Sequence, residues 1–161
     1  MMSLRVLAGD DWQLFREVRL EALREAPYAF GSTLRDWQGE RDNEERWRRR
    51  LTDVPFNVIA YVDADQVGIA SGTAPNEDGA IELISMWVAP FARGQGIGNA
   101  LVDAVVRWAS EQNVEELSVD VMEDNDRARA FFARCGFADR GRIEMPRGER
   151  QERRMRLTLG R

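Results

Sequence analysis

The 161-residue chain has no histidine and no lysine, one cysteine and two tyrosines. Without imidazoles, a zinc site would have to be assembled from carboxylates and one thiol, so no metal is expected. Cys135 cannot close an internal disulfide. With neither His nor Lys to lower its pKa it is a poor nucleophile, and it reads as a small buried apolar residue. All 23 basic residues are therefore arginines. No apolar run approaches the roughly eighteen residues of a membrane span, and the segment from Met1 to Arg5 lacks a signal-peptide pattern. A cytoplasmic protein without membrane association is expected. The net charge of −5 argues against nucleic acid as a partner. The local clusters, Arg46, Arg48, Arg49 and Arg50 and the arginine-rich C-terminus, read as solvated faces.

What is present is ordinary for one compact domain spanning residues 1–161: 43% hydrophobic and 32% charged, with no linker, repeat or low-complexity stretch. Residues 4–7 read as a strand. Asp10 is placed to cap a helix whose Leu14, Phe15, Val18 and Ala22 share one face, ending near Pro27. A loop at 28–33 leads to a second helix at 42–51. Two strands, 57–62 and 66–74, meet across the polar turn Asp63-Ala64-Asp65, and a fourth strand covers 81–88. Ile97, Leu101, Val105 and Trp108 mark a third helix at three- and four-residue spacing, followed by a strand at 117–121. A short fourth helix precedes a terminal antiparallel pair, 137–143 and 152–159, joined across Pro146-Arg147-Gly148.

Between the fourth strand and third helix lies Arg93-Gly94-Gln95-Gly96-Ile97-Gly98. Glycines at this spacing let successive backbone N–H groups turn toward one point. A helix N-terminus adds its positive dipole end and Arg93 a fixed charge, so the junction suits a pyrophosphate. The spacing alone leaves two other readings open. One is a dinucleotide fingerprint with Asn99 in place of its third glycine and Asp120 about twenty residues on; the other is a turn with no ligand.

A second segment favours one reading. Val-x-Pro-x-x-Arg-Gly-x-Gly-Ile-Gly at 88–98, followed by Asn-x-x-Ala-x-x-Phe-Phe-x-x-x-Gly-Phe at 125–137, resembles the GNAT superfamily of acyl-CoA-dependent N-acyltransferases. The resemblance covers nearly the whole chain. It implies a mixed α/β fold: a mostly antiparallel sheet of about seven strands, splayed between the fourth and fifth, with four helices. It also implies that acetyl-CoA lies in that wedge. Backbone groups near Met86 and Val88 would pair with the pantetheine arm, and N–H groups from Arg93 through Gly94, Gln95, Gly96 and Ile97 to Gly98 would hold the pyrophosphate. Asn125 would orient the pantetheine, and Ala128, Phe131 and Phe132 would flank it. Asn125 also reads as a helix cap, and the two phenylalanines as core residues.

The implied reaction moves an acetyl group to a primary amine by direct attack in a ternary complex. The amine must first lose a proton to a base or a water chain leading to one, and with His and Lys absent carboxylates remain for that role. Glu82 interrupts the apolar run Ile81, Leu83, Ile84, Met86, Val88 and stands where several family members carry a glutamate base. A place at the solvated start of the strand is its other reading. Many members have Tyr where Phe132 stands, so the hydroxyl that would protonate the leaving thiolate is missing. Acceptor contacts are expected from Phe30 in the loop at 28–33, from Ser85 and Trp87, and from the hairpin at 142–154, whose arginines could hold an acceptor carboxylate. The expected partner is a small amine or amino-acid-like molecule, with a homodimer left open as the assembly. A protein N-acetyltransferase and a catalytically weak acyl-CoA-binding module are the alternatives.

Overall fold

The computed structural model describes residues 1–27, 33–143 and 151–160. Seven strands form one sheet in the order β1-β2-β3-β4-β5-β7-β6: β1 Met2–Val6, β2 Phe56–Val62, β3 Asp65–Gly72, β4 Ala80–Val88, β5 Glu116–Met122, β6 Ala138–Ile143 and β7 Glu152–Thr158. Among the described residues, only β4 and β5 pair in parallel. The expected architecture is present, and each expected strand shifts by at most two residues at an end.

The helices are α1 Trp12–Glu25, α2 Glu44–Asp53, α3 Ile97–Ser110 and α4 Asp126–Arg134. Helix α1 buries Phe15, Val18 and Ala22 of the expected stripe, while Leu14 is half-buried and Leu23 joins the buried face. Asp10 does not cap it: a 3-10 turn, Gly9–Asp11, intervenes, and Asp11 instead accepts a hydrogen bond from the Ala8 N–H at 2.9 Å. Helix α2 begins two residues later than its sequence suggests. Asn43 takes the N-cap by accepting from Arg46 N, while Asp42 lies outside the helix, held by the Arg16 guanidinium and by Trp47 Nε1 at 2.7 Å.

Helix α3 lies against one face of β2 and β3, its Leu101 and Ile97 reaching Gly68. Helices α1 and α2 cover the opposite face, where Arg50 of α2 reaches Ser71. The core fills both layers, with Phe15, Trp47, Ile59, Ile69, Ile81 and Leu101 fully buried. Each such side chain contributes about 1.5–3 kcal/mol on leaving water. Among the described residues, no helix is long and apolar enough to cross a membrane.

Candidate functional site

Strands β4 and β5 pair only from Ala80↔Glu116 to Leu83↔Val119 and then part. Strand β5 stays with β7 over its whole length, Glu116↔Thr158 to Met122↔Glu152. Strand β4 stays with β3 but takes an extra residue: Ser71 faces Ile84 and Ile69 faces Trp87, two steps against three. This bulge bends β4 away from β5. At its centre Ser85 has φ +58°, a left-handed conformation costing about 1–2 kcal/mol for a residue with a Cβ. The strands open a cleft of about 1020 Å³. Glu82, Ser85, Met86, Trp87 and Val88 line one wall, and Val119 to Met122 with Asn125, Ala128, Phe131 and Phe132 line the other.

The glycine loop closes one end. After a 3-10 turn at Pro90–Ala92, Gly94 and Gly96 take φ +79° and +82°, and Gly96 is the N-cap of α3. A Cβ on either would meet nothing within 4 Å, so open space lies where an incoming group would approach. Among the described residues, no backbone hydrogen bond uses the N–H of Gly94, Gln95, Gly96, Ile97 or Gly98. Unused donors at a helix N-terminus, next to glycines in left-handed conformation, suit the oxygens of a pyrophosphate. Arg93 N is not among these unused donors, because it already donates to Pro90 O at 3.3 Å. The Arg93 side chain is committed too: its Nε donates to Val88 O at 3.0 Å and its Nη2 to Glu25 at 3.2 Å. The side chains of Gln95 and Ile97 are elsewhere, Gln95 donating to Phe91 O and Ile97 buried in the core.

On the second wall Asn125 caps α4, its Oδ1 accepting from Ala128 N at 3.1 Å, while it also lines the cleft. Phe132 is buried edge-on between Phe131 at 5.1 Å and Phe137 at 5.5 Å, and Phe131 is half-buried at the cleft surface. Phe132 thus belongs to the core, Phe131 packs against it, and both line the cleft.

Glu82 sits where the strands part, half-buried, its backbone N–H donating to Thr73 Oγ1. No described side chain hydrogen-bonds to its carboxylate, and Arg154 is a neighbouring charge. Across from it Asp120 holds Arg154 through bonds of 2.9 and 3.1 Å, which raise the pKa of that guanidinium. Trp87 is buried and donates from Nε1 to Glu25 at 2.7 Å. Phe30 and Tyr28 lie outside the described residues. Tyr61 is on β2, partnered with Gln66, and does not line the cleft.

The described hairpin arginines do not form the expected grip for an acceptor carboxylate, because each already pairs with a carboxylate of the protein. Arg142 and Arg153 hold Glu123, Arg153 also Asp139, Arg154 Asp120 and Arg156 Glu116. Cys135 is half-buried rather than buried, and burial pushes its thiol pKa up, away from thiolate reactivity.

Sequence reasoning missed Glu25, which ties the end of α1 to Trp87 and Arg93. It also missed Arg50, whose guanidinium reaches Ser85 Oγ at 3.1 Å. The available signal was Asn57 and Ser71, polar residues inside apolar strands, both of which turn out to be buried partners of Arg50.

Residues 16–137 match the family model described as the acetyltransferase (GNAT) family. Over 118 residues, 66% of this chain and 76% of the relative, the chain is 28% identical to aminoglycoside N(6')-acetyltransferase type 1 of Stenotrophomonas maltophilia. Among solved structures, a GNAT acetyltransferase from Streptococcus pneumoniae superimposes with TM-score 0.78 at 16% identity, covering 99% of this chain and 100% of that one. The spermidine N-acetyltransferase of Vibrio cholerae, solved with CoA and spermine, gives 0.75 at 16% identity over 98% and 95%. The described residues contain no group of three or more His, Cys, Asp or Glu side chains arranged to hold a metal ion. With its double motif, its parted β4 and β5 and this match over most of its length, the chain belongs to the GNAT acetyltransferase family and is an acyl-CoA-dependent N-acetyltransferase.

Proposed function

We propose that the enzyme transfers an acetyl group from acetyl-CoA to a small primary amine, by direct attack of the amine within the cleft between β4 and β5. The observation that carries this reading is Glu82, a half-buried carboxylate at the fork of the two strands to which no described side chain hydrogen-bonds. Acetyl-CoA supplies the activated acyl group. The N–H groups of Gly94 to Gly98 hold the pyrophosphate. Met86 and the N–H of Val88, on the stretch of β4 that has lost its β5 partner, offer backbone groups to the pantetheine arm; the Val88 carbonyl is already taken by Arg93. Asn125 and Ala128 border that arm, and Phe131 and Phe132 exclude water from it.

Glu82 takes the ammonium proton through a water, leaving a neutral amine to attack. Phe132 has no hydroxyl to give the departing thiolate. A thiol of pKa about 8.5 leaves readily without one. Ser85 and Trp87 border the acceptor side. The acceptor is a small amine rather than a protein tail, a reading supported by the acetyltransferases of aminoglycosides and of spermidine among the similar proteins. At the fork Glu82 is a carboxylate without a hydrogen-bonded side-chain partner among the described residues, which suits a cationic amine, while Arg127 and Arg134, the cleft's arginines without a described ion pair, lie on α4.

The test is CoA release from acetyl-CoA against a panel of polyamines, aminoglycosides, amino acids and N-terminal peptides, with products weighed by mass spectrometry. Acetylation of at least one small amine supports the reading. Turnover confined to peptides overturns it.

A further inference from the structure

Arg50 is a cation in an awkward place. It leaves α2 and crosses the sheet beneath three consecutive strands, donating from Nη1 to Asn57 Oδ1 on β2 at 3.0 Å. From Nη2 it donates to Ser71 Oγ on β3 at 3.3 Å and to Ser85 Oγ on β4 at 3.1 Å. All three acceptors are neutral. Ser71 Oγ in turn donates to Asn57 Oδ1 at 2.7 Å, and Asn57 Nδ2 to Val54 O, so the acceptors are themselves fixed. The guanidinium lies 4.9 Å over the Phe15 ring. Burial, and the neighbouring charge of Arg19, lower its pKa to about 10. A half-buried charge whose hydrogen-bond partners are all neutral, with Asp53 as a nearby offsetting carboxylate, is a poor way to gain stability, since an apolar side chain could fill the same space without desolvation. Its placement therefore calls for another reason.

That reason lies at the third contact. Ser85 is one of three described non-glycine residues with positive φ, and the other two, Asp63 and Asn113, are turn residues. Ser85 is in the middle of a strand, at the bulge where β4 leaves β5. A strained residue in a packed strand keeps its conformation only when its surroundings hold it there. Among the described residues, the one side-chain hydrogen bond that Ser85 makes is with Arg50.

We propose that Arg50 is a positioning residue for the acetyl transfer: it pins the Ser85 hydroxyl, keeps the β4 bulge in its left-handed conformation, and so fixes the backbone of Ser85, Met86 and Trp87 that faces the acyl end of the cleft. This rests on the reading of the cleft given above. Arg50 touches neither substrate, and its effect passes through Ser85.

The experiment compares Arg50→Met in the wild-type and Ser85→Gly backgrounds, because glycine adopts positive φ without help. Three quantities are read: amide hydrogen exchange of the 84–88 segment in the free protein, calorimetric affinity for CoA, and turnover with the best amine of the panel. In the wild-type background Arg50→Met should speed exchange at 84–88 at least about tenfold while α3 is unaffected. Turnover should fall at least about tenfold with CoA affinity within about threefold. In the Ser85→Gly background the same substitution should cost less than about threefold in both exchange and turnover. Ser85→Ala, which keeps the Cβ and loses the hydroxyl, should exchange faster at 84–88 than Ser85→Gly, and this comparison decides the matter if Arg50→Met does not fold. Equal losses in both backgrounds, or a lowered melting temperature with unchanged exchange and turnover, would overturn the proposal. A wild-type protein that bound no CoA would refute the cleft reading instead, and the exchange data would still decide whether Arg50 holds the bulge.

Discussion

Gly98 and Phe131 meet where the first turn of α3 faces α4: a β-carbon on Gly98 would stand 3.2 Å from Phe131 Cζ and 3.5 Å from the Met86 methyl. The closeness brings the glycine loop, the bulged strand and the second aromatic wall together on one side of the cleft. Gly98→Ala should therefore overpack this junction, lowering stability by about 1 kcal/mol and weakening acetyl-CoA binding several-fold. Adding Phe131→Leu should return part of the lost stability. Urea unfolding of the two variants checks this, and a neutral Gly98→Ala would show that the junction has slack.

Glu82→Gln removes the proposed proton acceptor while keeping the shape of the side chain. Turnover should fall by about 10²–10⁴, the range for loss of a general base, with acetyl-CoA affinity little changed. The acidic limb of the pH–rate profile should disappear with it. An intact limb and near wild-type turnover would move the role to a bound water or to solvent.

Cys135 offers a control on mechanism. Its thiol is half-buried and its pKa is raised by that burial. Cys135→Ala should keep turnover within about twofold, and iodoacetamide should react slowly at neutral pH. Loss of activity in a folded Cys135→Ala protein would point to a covalent acyl relay.

Acid stability should depend on Asp42. The Arg16 guanidinium, with help from Trp47 Nε1, holds the Asp42 carboxyl down to about 2 from 3.8. A carboxyl lowered in the folded state stabilises the fold above the unfolded pKa, and that stability is lost as pH falls through the folded value. The contribution is thus whole above pH about 4 and gone near pH 2, and solvent screening holds it to about 1 kcal/mol. Asp42→Asn should lower stability at pH 7 by that amount, and its difference from wild type should close between pH about 4 and 2. A difference independent of pH would remove the ion pair from the explanation.

The elements that position the cleft were legible because their signals are local. The glycines before α3, the apolar stripe of α3, Asn125 as a cap and Gly136 as a stop each act on residues within a few positions. Asp42 was misread as part of α2 because its partner, Arg16, lies 26 positions away. The same distance problem hid the bulge: nothing near Ser85 in the sequence announces a left-handed residue, and the side chain that holds it is 35 positions back. The arginines of the last strands showed their number but not their state. Cross-strand pairing with Asp120, Glu123 and Glu116 occupies them and turns an apparent anion grip into a ladder of ion pairs.

Calorimetric titration of acetyl-CoA into the wild-type protein and Gly96→Val tests the central claim most directly, namely that the loop from Gly94 to Gly98 holds the pyrophosphate. Gly96 has φ +82° with open space where a side chain would project, so valine there strains the backbone and fills the approach to the N–H cradle. The wild type should bind one acetyl-CoA per chain, and Gly96→Val should bind at least about tenfold more weakly, equivalent to about 1.4 kcal/mol, while α3 remains folded. Equal affinity in a folded Gly96→Val protein would contradict the assignment.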